Sequence, residues 1–165
     1  MSSTISRLLA ACSIGAVLGL PTAALPQTHD HAMHQHQQAA APSDSRMAVR
    51  FPEPLRTHTL ANMRDHLLAL GQIQEALSRG DYDAAAEIAE KRLGMSSLEA
   101  HGAHDVARYM PKAMQDAGSA MHRSASQFAV GAKDASVTGD LKAALGALAR
   151  LNQTCVACHA GFRLE

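Results

Sequence analysis

The stretch DLKAALGALARLNQTCVACHAGF, Asp140 to Phe162, combines a helix start, an apolar stripe and two of the chain's three cysteines. Gly139 followed by Asp140 reads as the end of one helix and the cap of the next. Beyond the cap, Leu141, Leu145, Leu148 and Cys155 recur at helical spacing, and His159 and Phe162 continue the seam. The same grammar repeats upstream. From Pro54, a seam of Leu60, Met63, Leu67, Leu70 and Leu77 ends at Ser78-Arg79-Gly80. Asp81 then caps DYDAAAEIAEKRL, and Gly94 stops it. A His- and Gly-bearing connection runs to Pro111, which suits the first turn of a third helix with Met114, Ala117, Met121, Ala125 and Phe128 on its seam. Four helices on mostly short links predict an all-α, antiparallel up-down-up-down four-helix bundle over residues 54–165. No strand pattern and no internal repeat is read.

Composition limits what such a bundle can do. The chain has 165 residues, enough for one domain, with 47% hydrophobic residues but only 3% aromatic ones. Much of the apolar content is Ala, so the core is built of small side chains. Lys plus Arg and Asp plus Glu are 15 each. That balance offers no basic face to nucleic acid.

The first 24 residues read as a secretory signal peptide. Arg7 precedes an apolar run from Leu8 to Leu20 that is too short to span a bilayer. Pro21 follows, and the small residues Thr22 and Ala24 place cleavage after Ala24. The mature chain is therefore expected in the periplasm, with no stable membrane insertion. Residues 25–53 read as a polar, disordered leader in which His29, His31, His34 and His36, with Met33, are candidate transition-metal ligands.

Export removes Cys12 and leaves Cys155 and Cys158. A disulfide between residues three apart closes too small a loop to constrain much. CxxCH is instead the attachment signature of c-type haem. On a helix, positions i, i+3 and i+4 share a face. Each thiol can then add to one haem vinyl group while His159 offers its imidazole to the iron. A structural zinc site wants about four protein ligands. A redox CxxC belongs near a βαβ pattern, and neither setting is found here.

CVACHAGFR, close to the C-terminus of an exported four-helix chain, resembles the class II cytochromes c, the cytochrome c′ group. The resemblance implies one covalent haem c, with Cys155 and Cys158 as thioether positions and His159 as axial ligand. It also implies haem contacts from the aromatic and basic places, Phe162 and Arg163. Helix geometry allows a sixth iron ligand from Met63. In an antiparallel bundle it stands at a depth comparable to that of His159, at ~1.5 Å per residue. Low-spin members of the group take a methionine from early in the first helix, and NMRDHL resembles that stretch. Met95, Met110, Met114, His66, His101 and His104 lie near the same end and are the other candidates. The pattern departs from the group one turn before Met63, where Thr59 replaces the arginine that meets a haem propionate; Arg56 and Arg64 are the nearest stand-ins.

With Met63 bound, the expected function is electron transport, since His/Met ligation raises the reduction potential. No catalysis is expected. Partners would be transient periplasmic redox proteins, and the group includes homodimers. Two other readings are retained. One is a five-coordinate haem protein that binds nitric oxide or carbon monoxide. The other is a periplasmic metal-binding protein using the His leader and the pair His101/His104.

Overall fold

Each helix boundary is set by a residue whose backbone or side chain cannot continue the helix. In the computed structural model, which describes residues 43–165, helix α1 spans Glu53–Ser78. Pro54 lies in its first turn, where the missing N–H leaves no hydrogen bond unmade. Gly80, at φ +71°, reverses the chain after α1. Asp81 then caps α2, Tyr82–Arg92, by accepting from the Ala84 backbone N–H at 3.1 Å. Lys91 and Arg92 in its last turn oppose the negative helix end. A single 3-10 turn at Met95–Ser97 and the short helix α3, Ala103–Ala107, occupy the connection. Helix α4, Lys112–Thr138, starts directly after Pro111 and ends at Gly139, φ +72°. Asp140 caps α5, Leu141–Gly161, by accepting from the Ala143 N–H at 2.9 Å.

Helix α1 packs on α2, α2 on α4, and α4 on α5. The shared core is mostly alanine, including Ala69, Ala76, Ala85, Ala125, Ala132 and Ala144. Phe128, Ile73, Leu93 and Leu151 are its largest fully buried members. Small side chains let the helix axes approach, so little volume is left for large ones. The first and last long helices, α1 and α5, do not share this close packing.

The leucine seams expected from periodicity therefore move. Leu77 and Leu148 are buried, but Leu67 is 69% exposed, Leu145 48% and Leu141 40%. The stripes that sink are Ala69-Ile73-Ala76-Leu77 on α1 and Ala144-Ala147-Leu148-Leu151 on α5. On α1, Asp65 marks the flank toward α2, where it accepts from Arg92 Nε at 3.1 Å. Arg56, Leu60, Met63 and Leu67 follow one another at helical spacing on the opposite flank.

Two short strands correct the reading that no strand forms. β1, Met47–Val49, pairs in parallel with β2, Phe162–Leu164, with Met47 opposite Phe162 and Val49 opposite Leu164. Phe162 therefore belongs to β2 and does not extend the α5 seam. Residues 47–53, expected as the end of a polar leader, are structured. Val49 and Phe51 join Val106 and Met114 in a second small core, with Leu55, Met110, Phe162 and Leu164 against it. This cluster gathers the start of α1, α3, the start of α4 and the exit of α5 at one end of the molecule. The signal sequence, Cys12 and the histidines of the leader lie outside the described residues.

The buried stripe on α5 makes a direct prediction. Leu148→Ala is expected to cost about 2–5 kcal/mol of unfolding free energy in urea titration. Leu145→Ala, three residues away, is expected to stay within about 0.5 kcal/mol. Equal costs would show that the leucine seam, and not the alanine stripe, faces the core.

Candidate functional site

The motif Cys155-Val156-Ala157-Cys158-His159 occupies the last two turns of α5. Both thiols are free and half-buried, while His159 is exposed beside them. Cys155 donates its S–H to the Leu151 carbonyl at 3.8 Å. Burial pushes both thiols above their ordinary range, and Cys158 is raised further by its neighbour Cys155. Unpaired carbonyls at a helix C-terminus add negative potential, which also disfavours a thiolate. Reactive dithiols have the reverse setting, with a lowered pKa at a helix N-terminus or beside a cation. These two cysteines are thus poorly suited to disulfide exchange and well placed to be consumed in permanent bonds.

Unsatisfied polar atoms occur on α5 itself, on β2 directly after it and at the start of α1. Among the described residues, four buried side-chain atoms lack a hydrogen-bond partner: Arg56 Nε, Thr59 Oγ1, Asn152 Oδ1 and Arg163 Nε. Arg56 and Thr59 lie in the first two turns of α1, and Thr59 also lines the histidine cavity described below. Asn152 is one turn before Cys155 on α5, and Arg163 is in β2. Arg163 Nη2 pairs with Glu165 at 2.8 Å and Arg163 Nε itself lies 3.5 Å from an Asp44 carboxylate oxygen, a charge contact without a hydrogen bond, whereas Arg56 reaches only Glu53, at 4.0 Å. Buried polar groups are nearly always paired, so a cluster of orphans asks for a missing partner. A group bearing carboxylates, held by the adjacent thiols, answers that need for the arginines. Haem fits these residues.

Phe162 packs in the second core beside β1. Of the sequence-predicted ligands, Cys155, Cys158 and His159 come together on one helical turn. Met63 lies elsewhere. It lines a cavity of about 200 Å³ bounded by α1, α3, α4 and the connection, to which no α5 residue contributes.

That cavity holds three imidazoles, His66 from α1, His101 from the connection and His122 from α4. Ring centroids are 4.8 Å apart for His66 and His101, 5.4 Å for His101 and His122, and 6.4 Å for His66 and His122. Asn62 Nδ2 donates to the His101 carbonyl at 3.2 Å and ties the connection to α1. Burial, followed by the neighbouring histidines, pulls His66 down to about 4. Burial and His122 also lower His101. His122 was not singled out from sequence. Its partners, the Leu93 and Gly94 carbonyls, come from a segment 28–29 residues away, which no local pattern signals. Among the described residues, no three His, Cys, Asp or Glu side chains already stand in position around one metal ion.

Compared with protein-family models, curated proteins and solved structures, the chain has no match.

The depressed histidines give a pH prediction for the metal-free chain. The unfolded chain takes up a proton on His66 below about 6.5, while the folded chain resists until about 4. In that window the unfolded state binds more protons, so stability falls as pH drops. The slope attributable to His66 should approach about 1.4 kcal/mol per pH unit. Urea unfolding in chelator between pH 7 and 4 measures it, and His66→Gln should flatten the dependence.

Proposed function

We propose that the chain is an exported c-type cytochrome. In this reading α1, α2, α4 and α5 form an antiparallel up-down-up-down four-helix bundle that carries one covalent haem c. The observation that carries the reading is the coincidence of CxxCH with the four orphaned polar atoms. Of these, Arg56 lies in the first turn of α1, Asn152 one turn before Cys155 on α5, and Arg163 directly after α5 in β2. Cys155 and Cys158 would hold the group through thioether bonds, and His159 would supply the axial imidazole. Arg56 offers an unpaired Nε–H to a carboxylate, which takes the place of an arginine at Thr59; Arg163 Nε, which makes no hydrogen bond and stands 3.5 Å from Asp44, is the second basic group at this end. Haem iron, when bound, cycles between ferric and ferrous states and so transfers single electrons.

The chain's own contribution is to hold, orient and shield. α5 is fixed by Leu148 and Leu151 in the core and by β2 at its exit, so the two sulfurs have little freedom to move. Arg46 Nη1 donates to the His159 carbonyl at 3.4 Å and steadies the turn that bears the imidazole. Met63 can supply a thioether as sixth ligand, since a methionine side chain has three rotatable bonds. A filled coordination shell suits an electron carrier serving transient periplasmic redox partners. No catalytic residue is assigned.

The placement of Met63 supports a second reading. It lines the histidine cavity, where no α5 residue contributes. Should it stay there, the sixth position is open and the protein binds nitric oxide or carbon monoxide.

Intact-mass measurement of the product, exported from a host with haem-ligating machinery, is expected to exceed the polypeptide mass by one haem. A bare polypeptide mass overturns the proposal. The oxidised spectrum should show a methionine-to-iron charge-transfer band that Met63→Ala abolishes. A high-spin spectrum that shifts with carbon monoxide, unchanged in Met63→Ala, selects the gas-binding reading.

A further inference from the structure

The histidine cavity is separate from the CxxCH motif, and of the residues lining it the function proposed above uses only Met63 as a ligand. Its chemistry begins with which ring nitrogens carry protons. The Leu93 carbonyl can only accept, so His122 Nδ1, 2.8 Å away, must be the donor. The Ser97 hydroxyl commits its proton to the Gly94 carbonyl at 2.7 Å. His101 Nδ1, 3.3 Å from the Ser97 oxygen, is then the donor to it. Both rings are thereby fixed in the tautomer whose Nε2 carries a bare lone pair. A second-shell N–H bond to a carbonyl or hydroxyl is how proteins orient metal-binding histidines.

The Nε2 atoms of His66 and His101 stand 3.4 Å apart. Two imidazoles on one tetrahedral ion, each at ~2.0–2.1 Å, place their nitrogens about 3.3–3.4 Å apart. The observed spacing is one that a single ion bridges. His122 is the third ring of the cluster, its centroid 5.4 Å from that of His101 and 6.4 Å from that of His66, and its bond to the Leu93 carbonyl holds it there. Burial keeps His66 and His101 neutral, the form in which imidazole binds metal. Asp65 is the one carboxylate whose charge acts on both rings, and it is engaged by Arg92. The cavity thus supplies nitrogen but no free anionic oxygen.

Thioethers complete the donor set. Met110 and Met121 line the same cavity as Met63. Imidazole accepts zinc or copper, but thioether sulfur selects cuprous copper. We propose that His66 and His101 bind one copper(I) ion, with the neighbouring His122 and a thioether of Met110 or Met121 as the further donors the cavity offers. The site needs neither Met63 nor the histidines of the leader. His122, its residue from α4, is anchored by the Leu93 and Gly94 carbonyls.

The test is an anaerobic titration of the full exported chain, stripped of metal, with cuprous ion against the chromogenic chelator bicinchoninate. Wild type is expected to hold one copper per chain against the chelator. A variant with His29, His31, His34 and His36 all changed to Gln is expected to do the same. His66→Gln with His101→Gln should weaken binding by at least a hundredfold. Ser97→Ala, which removes the acceptor of His101 Nδ1 and a longer 3.5 Å contact with His122 Nδ1, should weaken it about tenfold. Circular dichroism confirms that each variant is folded; should the double variant fail, His101→Gln alone carries the same expectation. Wild-type affinity in the folded cavity variant, or loss of copper on changing the leader alone, overturns the site. A parallel zinc titration that finds tight zinc and no cuprous binding overturns the choice of metal. Haem is read separately from the mass of the same samples, so failure of one assignment leaves the other standing.

Discussion

Close approach of helices through alanine governs the arrangement of this molecule. Where Ala69, Ala85, Ala132 and Ala144 meet, the helix axes can come near, and each pair from α1 to α2 to α4 to α5 is locked by that contact. A core made this way buries little area per residue. At roughly 25 cal/mol per Å², small side chains give a modest return against the entropy of ordering the chain. The few large residues, Phe128, Ile73 and Leu151, must do much of the work. The fourth side, between α1 and α5, lacks that contact. A prosthetic group held there would add apolar burial that the alanines do not provide, and a ligand bound by the native state alone stabilises it.

The β1–β2 pair and its small core give the open side a defined end. β1 precedes α1 and β2 follows α5, so their pairing holds the entry of one helix beside the exit of the other. Val49, Phe51, Phe162 and Leu164 then bring α3 and the start of α4 to the same place. Arg56, Thr59, Asn152 and Arg163 are orphaned at this end, where side-chain partners are few. An unmet buried donor costs roughly 1–3 kcal/mol.

Much of this was legible in the chain because helix ends are local. Asp81, Asp140, Gly80, Gly139 and Pro111 act through their own backbone and one or two neighbours, and all lie at helix boundaries as read. Which face each helix buries was less legible. Periodicity put Leu67 and Leu145 inward because leucine normally outcompetes alanine for burial. Here the helices approach too closely for that, and alanine takes the interior. The strands were illegible for another reason. Three-residue segments separated by more than a hundred positions leave no pattern in either one alone. For the site, the spacing of Cys155, Cys158 and His159 is a local fact and sits on one turn as expected. Asn152 and Arg56 become informative only once their lack of partners is visible. His122 becomes so only once the carbonyls of residues 93 and 94 are seen beside it.

Helix α1 serves as a wall for both sites, and its geometry sets how they can interact. Arg56 and Thr59 face unmet hydrogen-bonding needs at its start, and Met63 and His66 line the cavity one and two turns later. Met63 is the residue on the boundary. Its thioether can turn toward the cavity or toward the flank it shares with Arg56 and Leu60, but one sulfur cannot serve both at once. Were both proposed groups bound, a metal in the cavity that recruited Met63 would withdraw it from the haem iron, and a Met63 bound to iron would leave the cavity to Met110 and Met121. The two proposed sites would then be coupled only to the extent that they compete for this one side chain. Such competition would be reciprocal, because linkage requires each ligand to change the other's affinity by the same factor.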